Sequence, residues 1–244
     1  MDFEKDFSAR TLKTAWGDVN YLANDGGGTP VIFIHGLGAS SKTWKRFVKY
    51  LPDSMDVYLV DLLGHGRSAA PTTDYTIALQ ASVVEQLVLA ENLRNYYLFG
   101  HSYGGWIAAY YAERHPEMAG LVLEDAAGMK DFAEHRIAQN PKYLEELHRN
   151  ALALNPRPHV VGSIVDSYGA SEELTAEDLG SIEPRTLVMW GGVDSVIDIK
   201  CGEMFHKQIG NSEFQVIADT GHTPHYEKPE VASRIFLDFI GHVA

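Results

Sequence analysis

The chain of 244 residues carries a net charge of −13, with 45% hydrophobic and 22% charged residues. This composition suits a globular core and excludes an intrinsically disordered chain, while the negative charge opposes phosphate backbones and anionic bilayers, so neither nucleic acid nor a membrane is an expected partner. Cys201 is the single cysteine, which rules out an internal disulfide. The opening Met1-Asp2-Phe3-Glu4-Lys5-Asp6 lacks a basic stretch leading into an apolar one, so a cytoplasmic protein is expected.

Phe7–Thr14 and Val19–Ala23 flank the turn around Gly17-Asp18, which predicts an antiparallel opening hairpin at a sheet edge. Gly26-Gly27-Gly28 is followed by Thr29-Pro30 and not by the lysine of a phosphate loop, so it reads as a turn. Short apolar runs then recur at Val31–Ile34, Val57–Val60, Tyr96–Phe99, Leu121–Leu123, Thr186–Trp190 and Phe214–Ile217. Helical patterns separate the early ones, at Trp44–Leu51 and Leu79–Leu93. Strands alternating with helices predict a largely parallel sheet covered on both faces. The rhythm breaks after Asp125: residues 129–182 contain helical stretches such as Lys142–Leu152 and no buried strand. A connection of that length needs structure or function of its own, so the expected organisation is a single domain over 1–244 with a cap insertion at about 129–182. No internal repeat is visible, which concentrates function in one site.

The most informative stretch is Gly100-His101-Ser102-Tyr103-Gly104-Gly105, which follows the run ending at Phe99 and leads into the helical Trp106–Ala112. A serine hydroxyl is a poor nucleophile, and a sharp strand-to-helix turn exposes it to an activating base while flanking glycines keep the backbone clear. In this arrangement the acid and the base follow the serine in chain order, on loops after later strands. Thr186–Trp190 leads into Gly191-Gly192-Val193-Asp194, and Phe214–Ile217 leads into Ala218-Asp219-Thr220-Gly221-His222. The assignment is therefore Ser102 as nucleophile, His222 as general base and Asp194 as orienting acid. Asp125, at the end of Leu121–Glu124, is the rival acid.

His35-Gly36-Leu37-Gly38, Asp61-Leu62-Leu63-Gly64-His65-Gly66-Arg67-Ser68, the serine turn and Trp190-Gly191-Gly192-Val193-Asp194 occur in one order along the chain. Together they resemble the α/β-hydrolase fold superfamily, from His35 to the C-terminal helix. The resemblance implies a mostly parallel sheet of about eight strands, an oxyanion hole made by the backbone amides of Leu37 and Tyr103, and loops braced by His35, His65 and His101. It also implies a serine carboxylesterase without cofactor or metal, acting on a small-molecule ester as a monomer or homodimer. Haloalkane dehalogenases and epoxide hydrolases of the same superfamily use aspartate where this chain has Ser102.

His222 and His225 form His-x-x-His, but no further ligand at helical spacing accompanies them, so a metal site is not expected. Asp219 reads as a loop residue and Cys201 as a small packing residue. Pocket candidates are His35, Gly36, Trp106, Phe132, Tyr143, Val160 and Tyr168. Phe132, Tyr143, Leu144, Val160, Val161, Ile164 and Tyr168, within the insertion, either line an acyl pocket or bind the cap to the core. Against the carboxylesterase stand a carbon–carbon hydrolase of dienoic diketones or a lactonase, since relatives use the same serine turn for both. A small-molecule receptor that signals through cap movement is the reading from another class.

Overall fold

The computed structural model describes residues 1–130, 141–166 and 172–241. Two strands open the chain, β1 (Ser8–Thr14) and β2 (Gly17–Ala23), paired antiparallel about the Gly17 turn. There follow β3 (Pro30–Ile34), β4 (Asp56–Val60), α1 (Ile77–Ala90), β5 (Tyr97–His101), α2 (Tyr103–Ala112) and β6 (Gly120–Glu124). Between β6 and the next strand lie α3 (Pro141–Leu154), α4 (Pro158–Asp166) and α5 (Ala176–Gly180). The chain closes with β7 (Thr186–Gly191), α6 (Ile199–Gln208), β8 (Ser212–Ile217), α7 (Pro224–Glu227) and α8 (Pro229–Phe239). The eight strands form one sheet in the order β1-β2-β4-β3-β5-β6-β7-β8, parallel from β4 to β8, with the hairpin antiparallel at one edge.

The central strands carry uninterrupted apolar runs because both sheet faces are covered. On one face Phe33 of β3 packs against Trp44, Phe47, Phe99 and Phe236, with ring centroids 5.0, 5.8, 5.2 and 6.0 Å away. Phe33 and Phe99 are direct neighbours across the β3/β5 ladder, so the parallel register itself stacks the cluster. Truncating such a buried ring to alanine costs about 3–5 kcal/mol. The opposite face is covered by α1 and α2, which bury Val83, Val84, Leu87, Ile107 and Ala108. Helix α1 starts where Thr76 accepts the Leu79 amide at 3.1 Å, satisfying one of the donors a helix leaves open at its start.

The Trp44–Leu51 segment departs from the expected helix: it forms two 3₁₀ turns, Ser41–Lys45 and Phe47–Tyr50. Trp44, Phe47, Val48 and Leu51 are nonetheless all buried, since a spacing of three to four residues brings apolar side chains to one side in either helix type. At the entry, the Ser41 amide donates to Asp61 Oδ1 at 2.7 Å. At the break, Arg46 stacks on the ring of Tyr226, 3.9 Å from its centroid.

The strand order reverses at β3: the chain goes outward to β4 and returns past it to β5. Such a switch point opens a crevice at the carboxyl ends of the adjacent strands. Helices α3 and α4 lie against that end. A Cβ on Gly38, in the loop after β3, would come within 2.8 Å of the Ala151 carbonyl in α3. Asn155 and Arg157 donate to the Gly64 carbonyl at 2.9 and 2.8 Å. The described residues contain no helix long and apolar enough to cross a membrane.

Candidate active site

Ser102 stands between β5 and α2 with φ of 53° and ψ of −116°, a left-handed conformation that non-glycine residues adopt only under constraint from their surroundings. The constraint is visible. Its amide donates to the Glu124 carbonyl at 2.9 Å, and its carbonyl accepts from Gly105, Trp106 and Ala127. The turn is tight enough that a Cβ on Gly100 would lie 2.2 Å from the Gly104 carbonyl oxygen, and one on Gly104 would lie 2.3 Å from that of Ile34. Side chains at either position would push α2 off the sheet.

The loops after β7 and β8 bring Asp194 and His222 to this serine. His222 Nε2 lies 2.9 Å from Ser102 Oγ, and His222 Nδ1 lies 2.7 Å from Asp194 Oδ2. Since a carboxylate only accepts, Nδ1 carries the proton, leaving Nε2 to accept from the serine hydroxyl. The other Asp194 oxygen accepts from the amides of Val196 and Ile197 at 2.7 and 3.1 Å. Burial acts to raise the Asp194 pKa, but the hydrogen bond and charge of His222 and the Val196 amide hold it below the usual carboxylate value. The carboxylate therefore stays ionised behind the imidazole.

The His222 loop is anchored from three sides. His101 Nε2 donates to the His222 carbonyl at 2.7 Å. Glu227 accepts from the amides of Gly221 and Thr223 at 2.9 and 3.1 Å. Glu124, the last residue of β6, accepts from the His225 amide at 2.9 Å and pairs with His225 Nδ1 in a short contact, while His225 Nε2 meets Thr43 Oγ1 at 2.9 Å. Burial pushes Glu124 up to about 7 and holds His101 and His225 down at about 3. Both histidines are therefore neutral braces at ordinary pH.

The loop after β3 closes on the serine from the other side. A Cβ on Gly36 would lie 2.9 Å from His101 Nδ1 and 3.3 Å from Ser102 Cβ, so only glycine lets Leu37 pass this near. Tyr103 is the first residue of α2, at the end where helix amides point outward. His35 holds the base of the loop: Nδ1 donates to the Gly36 carbonyl at 2.8 Å and Nε2 accepts from the Leu62 amide at 3.1 Å. His65 is also buried, and burial with neighbouring His35 lowers its pKa to about 3.

Of the pocket candidates, His35 and Gly36 belong to this brace. Trp106 is buried, its indole donating to the Glu172 carbonyl at 3.0 Å and its ring filling the space beside Gly128. Val160 is buried against Gly64. Phe132, Tyr168 and the side chain of Tyr143 lie outside the described residues. A cavity of about 410 Å³ opens beside the Leu37 loop, lined by Gly38, Lys42, Thr43, Leu154, Asn155 and Arg157, none of which was a pocket candidate. The rival acid Asp125 lies beside Asp194, accepting from the Gly191 amide at 2.9 Å. Glu124, Glu227 and Thr43 are the site residues that sequence reasoning missed. A carboxylate ending an otherwise apolar buried strand was the available signal for Glu124.

Among the described residues, two sets of side chains bring potential metal-ligand atoms within 4.8 Å of one another, His101 with Glu124 and His225, and Asp125 with Asp194 and His222. In both, histidine nitrogens already bond to carboxylates.

The model of the alpha/beta hydrolase fold family matches residues 29–160, and the chain belongs to that family. Monoacylglycerol lipase ABHD6 of Rattus norvegicus is 26% identical, over 87% of this chain and 75% of the lipase. Among solved structures, a bacterial membrane phospholipase A superposes with a TM-score of 0.82 at 25% identity, covering 97% of this chain and 86% of that one. A meta-cleavage product hydrolase from Pseudomonas fluorescens IP01 gives 0.77 at 20% identity, covering 95% and 97%; at that identity the likeness shows the fold alone.

Proposed function

We propose that this protein is a serine ester hydrolase that cleaves small to medium carboxylic esters through an acyl-enzyme on Ser102. The observation that carries the reading is the continuous chain from Ser102 Oγ through His222 to Asp194, at 2.9 and 2.7 Å. His222 takes the serine proton as Oγ attacks the ester carbonyl, then passes it to the leaving alkoxide. Asp194 keeps the imidazole in the accepting tautomer and stabilises the imidazolium that forms. The amides of Leu37 and Tyr103 receive the oxyanion, and the loss of one such donor typically costs about 10²–10³ in rate. Water then hydrolyses the acyl-enzyme with His222 as base.

Residues 129–182 act in this reading as a cap. The contacts of α3 with Gly38 and of Asn155 and Arg157 with Gly64 support it, because they bring α3 and the residues after it against loops at the carboxyl ends of the strands. A covered site favours compact substrates over polymers. The relatedness to a monoacylglycerol lipase supports an ester of one acyl chain with a small alcohol.

The test is hydrolysis of p-nitrophenyl esters from acetate to palmitate, alongside a monoacylglycerol, by wild type and Ser102→Ala. Serine-dependent turnover peaking at short or medium chains is the expected result. A folded wild type that cleaves no ester, but does cleave a dienoic diketone, would replace the ester reading.

A further inference from the structure

Asp125 and Asp194 are two carboxyls in one buried space. Asp125 is 0% exposed, and the Asp194 side chain is likewise 0% exposed. An oxygen from each and a ring nitrogen of His222 all lie within 4.8 Å of one another. Asp194 accepts from donors on both oxygens: His222 on one, Val196 and Ile197 on the other. Asp125 differs. Its Oδ1 accepts from the Gly191 amide at 2.9 Å, but no donor among the described residues reaches its buried Oδ2. Asp125 also sits in the left-handed region, with φ of 45°, held there by the hydrogen bond its amide donates to the Met189 carbonyl at 3.0 Å. Strain of that kind in a non-glycine residue persists where the surroundings fix it, often beside reacting groups.

Two ionised carboxylates this close, out of water, with one imidazole between them and Ser102, repel each other strongly, and the shared-site solution is a single proton. A proton on Asp125 Oδ2 also removes the only unsatisfied atom of the pair, because the acid becomes a donor. We propose that Asp125 is a positioning residue that stays protonated and donates a hydrogen bond to Asp194, so that the two carboxyls act behind His222 as one acid with one negative charge. The proposal rests on the reading of Ser102, His222 and Asp194 as the reacting groups. It gives Asp125 a job distinct from that of a rival acid: it holds the Asp194 carboxylate toward the imidazole without adding a second charge. Burial, the charge of Glu124 and that of Asp194 all act to raise the Asp125 pKa, in agreement with the geometry.

The charged groups acting on the pair are Glu124 on the same strand end and His222 and Glu227 from the segment after β8, while His101 at the end of β5 faces Glu124. Glu124 is itself protonatable near neutrality, so the direct measurement labels aspartate alone. Infrared spectroscopy of wild type carrying ¹³C-labelled aspartate is expected to show an isotope-shifted protonated-carboxyl band at pH 8. Absence of that band overturns the proposal, and because no turnover is involved, the result stands whatever ester the enzyme cleaves.

Kinetics supply the second arm. Asp125→Leu, which removes the donor, is expected to lower kcat by about tenfold to a hundredfold, the range for a hydrogen bond to a charged group. Asp125→Asn restores a neutral donor and is expected to recover most of that loss while leaving the acid limb of the pH–rate profile in place. If Asp125 were ionised, its replacement by Asn would remove a negative charge from beside His222 and move that limb to lower pH. Such a movement, or an Asn variant as slow as the Leu variant, contradicts the proposal.

Discussion

The described residues contain two hydroxyl–histidine–carboxyl chains built on the same short segment, three residues apart. One runs from Ser102 through His222 to Asp194, the other from Thr43 through His225 to Glu124. Their connectivity is the same, yet their surroundings differ. The His222 side chain is 17% exposed, whereas the side chains of His225 and Glu124 are both 0% exposed. Asp194 is held ionised by donors, while burial raises Glu124 and lowers His225, so that the second pair carries no separated charge near neutrality. Ser102 occupies a left-handed turn at a helix start; Thr43 sits inside a 3₁₀ turn. A base must be able to accept charge, and its nucleophile must stand where a carbonyl can reach it. The difference teaches that hydrogen-bond connectivity alone does not make a triad: under the proposed function, access and the protonation each environment permits separate the chain that reacts from the one that braces the loop.

The sharpest way to break this contrast is to remove the hydroxyls and carboxyls one by one. Ser102→Ala is expected to lower kcat by about 10⁶, as in the serine hydrolases where this has been separated from binding, with an unchanged melting temperature. Asp194→Asn is expected to cost about 10⁴, because the imidazole loses its fixed tautomer. Both are read from single-turnover rates against a folded control. Glu124→Ala acts on the other chain and is expected to lower stability by about 1–3 kcal/mol through the buried donors it strands, seen as a lower urea midpoint, with a much smaller fall in kcat than Asp194→Asn. Thr43→Val is expected to be milder still, with kcat reduced less than tenfold and a stability change of about 1 kcal/mol. A loss for Thr43→Val comparable with that for Ser102→Ala would undo the distinction.

The brace also has a pH signature. His65, His101 and His225 are held neutral down to about 3 in the folded chain, but take protons near 6.5 when unfolded. Their stabilisation is complete above the unfolded value and is lost as pH falls toward 3. Buried His35, also lowered, adds to them, while Glu124, raised to about 7, and Asp125, raised by burial and the neighbouring carboxylates, oppose them by favouring the folded state at lower pH. Four histidines against two carboxyls predict a urea midpoint that falls as pH drops from about 6.5 to 4. A midpoint constant across that range would show that these histidines are not buried as neutral groups.

The serine turn, the order of its partners and the parallel sheet were legible because each rests on local pattern. Glycines two residues either side of Ser102 announce a close backbone approach, and apolar runs of three to five residues announce doubly covered strands. What the pattern could not carry is contact between distant segments. Thr43 and His225 are 182 residues apart, and Glu124 and His225 are 101 apart, so nothing local marks them as partners. The same limit applies to Trp106, where proximity to the serine turn suggested a pocket, and to Val160, where a place in the insertion left pocket lining or packing open; Gly128 and Gly64 give each side chain a packing partner. The 3₁₀ turns at Ser41–Lys45 and Phe47–Tyr50 were invisible for a related reason, since their apolar spacing is shared with an α-helix.

The central claim, that only one of the two chains carries an activated nucleophile, is tested most directly by covalent trapping. The wild-type protein is treated with a fluorophosphonate and the adduct located by peptide mass spectrometry, with His222→Ala and Thr43→Val in parallel. A single adduct on Ser102, abolished by His222→Ala and retained in Thr43→Val, is the expected outcome. An adduct on Thr43, or labelling of Ser102 that survives the loss of His222, would contradict the account.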